Sequence, residues 1–134
     1  MVDLITNLAQ LKSMSIASKY EKNSVIIQEG AEAPYSMYLI LQGEVRVVKD
    51  YGQVDQKVIA RLRPGDFFGE TSLFLLKPRS ATVITSKEET VVLEITEENV
   101  YEVIENNPKL LHGIIKTLCS RIDYLNEKLH TARH

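Results

Sequence analysis

The sequence predicts a mainly β domain, a small antiparallel sandwich or jelly roll (double-stranded β-helix), with a short N-terminal helix and two C-terminal helices. Between residues 17 and 95, short runs rich in β-branched and aromatic residues are separated by turn signals. Outside this stretch, apolar residues recur at helical spacing. Five of the six glycines fall where the β-rich chain must reverse: Gly30, Gly43, Gly52, Gly65 and Gly69.

The predicted β-roll, residues 17–95, contains six strand candidates: SVIIQ, SMYLILQ, EVRVVK, KVIARL, ATVIT and TVVLEI. Gly43 in LQGEV joins two alternating runs and predicts a tight hairpin between them. YGQ and RPGD mark two further turns. Six to eight short strands at this spacing favour two sheets curled together, an arrangement that manages their edges.

Helices are predicted at both ends of the roll. Over residues 3–12, four apolar residues follow Asp3, a suitable N-cap, at helical spacing. Two C-terminal helices are predicted over residues 97–131. The first follows a threonine cap and carries two acids in its first turn. The second begins with Asn107 as its cap and Pro108 at the first helical position.

Composition and charge exclude several classes of protein. The 134 residues, 44% hydrophobic and 25% charged, are typical of a single globular domain spanning residues 1–134. The net charge of -2 and the lack of a basic cluster predict no direct nucleic acid contact by this chain. The single Cys119 has no intramolecular disulfide partner, the N-terminus lacks a signal-peptide pattern, and no apolar run approaches a membrane span. We expect a cytoplasmic protein without membrane insertion.

The stretch FFGETSLFLLKPRSATV, residues 67–83, holds two charges in apolar surroundings, where an unpaired charge is expensive. A short helix beginning near Glu70 would present free N–H groups to an anion, and Gly69 would allow close approach to the backbone. Arg79 offers a fork that matches two phosphate oxygens, and Ser80 adds a hydroxyl. Glu70 would repel a phosphate but suits a ribose hydroxyl. The pattern favours a ligand with a phosphate, a ribose hydroxyl and a flat base.

The segment from Phe68 to Val83 resembles the phosphate-binding cassette of the cyclic nucleotide-binding domains. These domains occur in catabolite-activator-type regulators, cyclic-nucleotide-dependent kinases and cyclic-nucleotide-gated channels. Their cassette reads Phe-Gly-Glu, a small residue and Leu, then Pro-Arg, a small residue and Ala-Thr-Val. This chain keeps the nine-residue interval from Glu70 to Arg79. QEGAEAPYSMYLILQGEVRVV and RPGDFFGE extend the resemblance over essentially the whole chain.

The resemblance implies that Glu70 binds the ribose 2'-hydroxyl and that Arg79 binds the cyclic phosphate. The serine at position 80 is similar to the residue found in bacterial cAMP sensors of this family, and this favours cAMP over cGMP as the ligand. The resemblance implies no further cofactor. Backbone or hydroxyl contacts are implied for Gly69, Thr71, Ser72 and Ser80. Contacts near the base are implied for three residues of the last helix, Arg121, Leu125 and Asn126.

A purely structural interpretation also exists for these charges. Glu70 would then be a first-turn acid that stabilises its helix, with Arg79 as its ion-pair partner. No nucleophile is found with a base in the sequence, so no enzymatic activity is expected. No carboxylate or thiol completes a ligand set around the three histidines, so no metal site is expected: His112, His130 and His134.

The last helix carries an apolar stripe with alternating spacings of four and three residues, which favours a parallel two-stranded homodimer. The alternative is that the stripe packs on the roll of the same chain. A second row, Leu110, Ile114 and Tyr124, would face the roll. The stripe, called the seam below, consists of Leu111, Ile115, Leu118, Ile122, Leu125 and Leu129. In catabolite-activator-type proteins the corresponding helix both dimerises and closes over the base.

We therefore predict a regulatory sensor domain in which cyclic nucleotide binding repositions the C-terminal helix. The alternative is a non-binding assembly module that keeps the fold and dimerises through that helix. The chain ends at HTARH, where DNA-binding regulators of the family would begin a helix-turn-helix domain. A regulator fragment, a domain of a channel or transporter, and a free-standing sensor all fit the sequence.

Overall fold

The computed structural model describes residues 16–132, which form eight strands and three helices. The strands are β1 Ile16–Tyr20, β2 Val25–Ile27, β3 Met37–Gln42, β4 Val45–Lys49, β5 Lys57–Leu62, β6 Phe67–Phe68, β7 Thr82–Thr85 and β8 Thr90–Ile95. The helices are α1 Glu70–Leu75, α2 Val100–Asn106 and α3 Pro108–Ala132. The helix predicted over residues 3–12 lies outside the described residues.

The strands form two four-stranded antiparallel sheets, in the orders β1-β8-β3-β6 and β2-β7-β4-β5. Their pairings are nested, because β1 pairs with β8, β2 with β7, β3 with β6 and β4 with β5. Such nesting arises when a long antiparallel ribbon folds over on itself into two packed sheets. The predicted jelly roll is confirmed, and each of the six strand candidates contains a strand.

The hairpin predicted at Gly43 is wrong. β3 and β4 flank this glycine, but they lie in different sheets, so Gly43 turns the chain from one sheet into the other. Alternating apolar residues look the same before a hairpin and before such a corner, so the sequence pattern could not distinguish them. The corner still requires glycine: its φ is +86°, and an added Cβ would lie 2.7 Å from the Cα of Thr90.

Two apolar clusters hold the sheets and helices together. Neighbouring residues on a strand point to opposite faces, and Phe67 and Phe68 accordingly join different clusters. Phe67 packs with Met37, Leu39 and residues of the helices, whereas Phe68 belongs to the cluster that includes Tyr38. Tyr38 and Phe68 stack with ring centroids 5.0 Å apart. The cassette therefore starts from a strand buried on both faces.

The C-terminal helices agree with prediction except at one boundary and one cap. Asn107 precedes α3, but its side chain does not cap that helix, because its Nδ2 donates to the Val103 carbonyl of α2 at 3.2 Å and its Oδ1 accepts no hydrogen bond from the described residues. α2 begins at Val100 rather than at residue 97, because Glu97 to Asn99 form a turn. Thr96 accounts for the turn: its N–H donates to Asn99 Oδ1 at 2.9 Å, and the Asn99 N–H donates to the Thr96 hydroxyl at 3.3 Å. This reciprocal pairing resembles a capping box placed one turn before the helix. Among the described residues, no helix has the length and apolarity needed to cross a membrane.

α3 divides its apolar residues between the roll and the surface. Leu110 and Ile114 are buried against the roll, as predicted, whereas Tyr124 is exposed. Leu118 is partly buried and packs on the cluster around Phe67. The other seam residues are 41–59% exposed: Leu111, Ile115, Ile122, Leu125 and Leu129. Most of the seam is therefore left uncovered by its own chain.

Candidate functional site

The candidate site begins where β6 turns into α1, and only glycine fits that turn. Gly69 has a φ of +84°, in the left-handed region that disfavours other residues. A Cβ at this position would lie 2.8 Å from both the Ser36 carbonyl oxygen and Arg79 Nη1. The missing side chain thus leaves space for the guanidinium of Arg79 against the start of β3.

α1 is short because its C-terminus reverses at once. Leu76 adopts a left-handed conformation, and its N–H donates to the Ser72 carbonyl at 2.9 Å. Past Pro78 the chain is fixed by two backbone hydrogen bonds to the turn at residues 30–31. The Arg79 N–H donates to the Ala31 carbonyl at 2.9 Å, and the Gly30 N–H donates to the Arg79 carbonyl at 2.8 Å. Arg79 is therefore anchored by its backbone before its side chain makes any contact.

The Arg79 side chain is buried, and its guanidinium is held by main-chain carbonyls. Nη2 donates to the Pro34 carbonyl at 2.7 Å, and Nη1 donates to the Gly69 carbonyl at 3.2 Å. Burial lowers the pKa of Arg79, and the nearby Tyr38 and Glu94 raise it again. A guanidinium keeps its charge across the physiological range even so. The site thus holds a buried cation without a carboxylate hydrogen-bonded to it among residues 16–132.

Glu70 supplies the opposite charge. Its side chain is only 5% exposed, and its Oε1 forms an ion pair with Arg121 Nη1 from α3. Neither carboxylate oxygen accepts a further hydrogen bond from residues 16–132. Burial lowers the pKa of Arg121, and Asp66 raises it. The structural alternative that pairs Glu70 with Arg79 is wrong, because these two charges have separate partners.

Glu70 and Arg79 both line one cavity of about 520 Å³ between the roll, α1 and α3. It is lined by all the predicted ligand-binding residues except Asn126: Gly69, Glu70, Thr71, Ser72, Arg79, Ser80, Arg121 and Leu125. Asn126 is exposed on α3, outside this lining. Arg121 was expected beside the base, but its guanidinium lies on Glu70. The structure thus brings the cassette and the final helix to one space.

The sequence interpretation missed the apolar wall of this cavity. Strand residues form most of it: Ile27, Val47, Ile59, Ala60, Leu62, Phe68 and Val83, together with Ala81 before β7. Part of this wall has the period-two spacing of one sheet face, since Val47 lies opposite Ala60 in the β4–β5 ladder and Leu62 follows two residues later. Using that signal requires knowing that β4 and β5 lie beside the cassette, which the sequence does not give.

A second cavity, of about 590 Å³, lies next to the first on the other side of Arg121. The two share Leu62, Arg121 and Leu125, while Asp66 and Lys116 line only the second. Within residues 16–132, no three His, Cys, Asp or Glu side chains converge in a way that could hold a metal ion.

A family comparison decides what kind of domain carries this cavity. The model of the cyclic nucleotide-binding domain matches residues 17–107, which cover the roll and α2. The chain belongs to the cyclic nucleotide-binding domain family. The name of this family gives cyclic nucleotides as the ligand class, which agrees with the ligand that Glu70 and Arg79 favour.

Relatives of two kinds share this domain. The chain is 27% identical over 111 residues to the cAMP-activated global transcriptional regulator CRP of Salmonella typhimurium, covering 83% of this chain and 52% of the regulator. It is 30% identical over 141 residues to cGMP-dependent protein kinase 2 of Mus musculus, covering 98% of this chain and 18% of the kinase. The chain thus spans about half the length of the regulator and far less of the kinase.

A solved structure confirms the fold. The catabolite activator protein of Thermus thermophilus superposes with a TM-score of 0.78 at 24% identity, covering 93% of this chain and 58% of the activator. The likeness extends over nearly the whole chain.

Proposed function

We propose that this domain is a sensor that binds a cyclic nucleotide in the 520 Å³ cavity and prefers cAMP to cGMP. One observation carries the proposal: a single cavity is lined by a buried cation, Arg79, and a buried carboxylate, Glu70, that are not paired with each other. A phosphate diester satisfies the first charge and a ribose hydroxyl the second.

The rest of the cavity suits a purine base. Its wall is largely apolar, with Val47, Leu62 and Phe68 from the roll and Leu125 from α3. Ligand cavities of roughly 300–1,000 Å³ with a few polar anchors are typical of small-molecule sites, and this one falls in that range. The polar anchors lie at the cassette, so the base would extend towards the apolar side.

The choice between the two nucleotides rests on Ser80. The relatives named above include a cAMP-activated regulator and a cGMP-dependent kinase, so membership of the family leaves the ligand open. Ser80 lines the cavity at the phosphate end. Bacterial cAMP sensors of this family have serine at the corresponding position. This supports cAMP.

Ligand binding would act on α3. Arg121 and Leu125 of this helix line the same cavity as the cassette, so a bound nucleotide would contact both elements. A ligand shifts a conformational equilibrium only through a difference in affinity for the two states, and contacts made only when α3 is seated supply that difference. No catalytic step is part of this proposal.

The final helix also supports a homodimer. Five of the six seam residues are 41–59% exposed, and they lie on one stripe of α3. Regular alternation of three and four residues fits the facing stripe of a second copy in a parallel coiled coil. We infer that a second copy of this chain covers the seam.

Isothermal titration with cAMP and with cGMP tests the ligand, with 5'-AMP as the matched control that lacks the cyclic phosphate. We expect saturable cAMP binding at micromolar Kd or tighter, about -8 kcal/mol or better, with weaker cGMP binding and at least tenfold weaker 5'-AMP binding. Sedimentation velocity on the same samples tests the dimer.

The second candidate is an assembly module that does not bind nucleotide. The exposed seam favours it independently of the cavity, and in it the Glu70–Arg121 pair would serve only to hold α3. This candidate predicts a stable dimer and no heat with either nucleotide. Saturable cAMP binding excludes it.

A further inference from the structure

Lys49 lies outside the lining of the nucleotide cavity, but its side chain holds the end of the cassette. Its Nζ donates to the Ser80 carbonyl at 2.9 Å and forms an ion pair with Glu29 Oε2 at 3.0 Å. Lys49 ends β4, Glu29 follows β2, and Ser80 precedes β7, the strand that lies between β2 and β4. The lysine therefore ties the point where the cassette enters β7 to both neighbouring strands.

Glu29 is itself held, so the ion pair has a fixed far end. Its N–H donates to the Thr82 hydroxyl at 3.0 Å, and its Oε1 accepts a hydrogen bond from the Asp50 N–H at 3.0 Å. The Asp50 hydrogen bond, and after it the Lys49 ammonium, lower the pKa of Glu29. Glu29 is therefore ionised at neutral pH, with one oxygen on the main chain and the other on Lys49.

We propose that Lys49 is a positioning residue for phosphate recognition: by holding the Ser80 carbonyl, it orients Ser80 so that its hydroxyl meets the phosphate. The inference rests on the proposed cyclic nucleotide function and adds to it a residue outside the cavity. The preceding residue, Arg79, is already tied through its N–H to Ala31 and through its carbonyl to Gly30. With the Lys49 contact, the backbone of both phosphate-binding residues is fixed before a ligand arrives.

The burial of the two residues explains why Ser80 needs this contact. Arg79 is buried, whereas Ser80 is exposed, so packing alone does not hold the serine. A segment that must be ordered when its ligand binds loses affinity, and ordering it in advance recovers that loss. The Lys49 side chain is 48% exposed, and ion pairs this exposed contribute little to folding stability. The contact should therefore be seen in binding rather than in stability.

The test is a double-mutant cycle in cAMP affinity over Lys49→Met and Ser80→Ala, measured by isothermal titration. In the chain that keeps Ser80, Lys49→Met should weaken cAMP binding about 3- to 10-fold, the effect of one hydrogen bond. In the Ser80→Ala background it should weaken binding less than about twofold, because the hydroxyl that Lys49 positions is gone. Lys49→Arg keeps the charge and several N–H donors, so it should recover most of the lost affinity.

Lys57→Met is the matched control. Lys57 lies opposite Lys49 in the β4–β5 ladder and is exposed, so the substitution removes the same charge from the neighbouring strand. Its cAMP affinity should equal that of the wild type. A loss as large as that of Lys49→Met would show that positive charge in this region, rather than the hold on Ser80, supports binding. Circular dichroism melting of every variant should stay close to that of the wild type.

The outcomes separate this inference from the function on which it rests. A wild-type chain that does not bind cAMP contradicts both. Saturable cAMP binding by the wild type with an unchanged affinity in Lys49→Met leaves the function intact and overturns the role of Lys49. Losses from Lys49→Met and Ser80→Ala that multiply in the double variant also overturn it, because they show that the lysine does not act through the serine.

Discussion

Replacing Arg79 by glutamine should remove most of the affinity for cAMP. Two of the five N–H donors of the guanidinium are used by the carbonyls of Pro34 and Gly69, at 2.7 and 3.2 Å. Arg79 also lines the cavity, so its remaining donors can bind the phosphate. Because Arg79 is only 6% exposed, a phosphate bound to it would be largely removed from water.

The expected loss follows from this burial. Truncating one partner of a buried, hydrogen-bonded charge pair costs about 2–5 kcal/mol, which corresponds to roughly 30- to 5,000-fold in Kd. Arg79→Lys keeps the charge but loses the fork, so its loss should lie at the lower end of this range. A smaller effect on stability is also expected, because glutamine cannot satisfy both backbone carbonyls.

Isothermal titration of cAMP into both variants, well below their melting temperatures, measures the loss. Arg61→Gln is the matched control, because Arg61 is an exposed arginine on β5 outside the cavity, in a loose 3.9 Å ion pair with Glu44. Its affinity should equal that of the wild type. If Arg79→Gln binds cAMP within threefold of the wild type, Arg79 does not bind the phosphate.

Three further predictions concern the fold, a buried tyrosine and the seam. Gly43→Ala should destabilise the domain more than Gly52→Ala in urea unfolding, because both positions have positive φ but only Gly43 also lacks space for a Cβ; equal losses would show that the contact is harmless. Burial, with Glu94 as the next cause, raises the pKa of Tyr38 to about 12. The stability that neutral Tyr38 contributes is therefore complete below its unfolded pKa near 10 and declines as the pH rises from there through about 12. Tyr38→Phe should flatten the fall in stability at alkaline pH, whereas Tyr51→Phe, at an exposed site, should leave that fall unchanged. Ile122→Glu should give a monomer in sedimentation velocity. Because Ile122 is 58% exposed on its own chain, the substitution should not destabilise the fold of the single chain. An unaltered dimer would exclude the seam as the interface.

Much of the fold could be predicted because its signals are local. Short alternating runs and turn glycines predict strands, and Pro108 at the first helical position predicts the start of α3. Sheet partners are not local, and Gly43 shows the consequence: the flanking runs alternate as in a hairpin, but their pairing depends on strands far along the chain.

The candidate site divides in the same way. The cassette is contiguous, so Glu70, Arg79 and the residues between them could be identified from their spacing and from the family resemblance. The partner of Glu70 could not, because Arg121 reaches it from a separate helix. Leu125, about one helical turn beyond Arg121, lines the cavity, but Asn126 is five residues from Arg121, about 140° further around the helix, and falls outside it.

A crystal structure of the chain grown with saturating cAMP is the most direct test of the proposed site. We predict the nucleotide in the cavity between the roll and α3, with phosphate oxygens at about 2.7–3.2 Å from Arg79 nitrogens and the 2'-hydroxyl on Glu70 Oε2. An empty cavity at saturating cAMP, or cAMP bound elsewhere on the chain, would contradict the proposal that Glu70 and Arg79 form a cyclic nucleotide site.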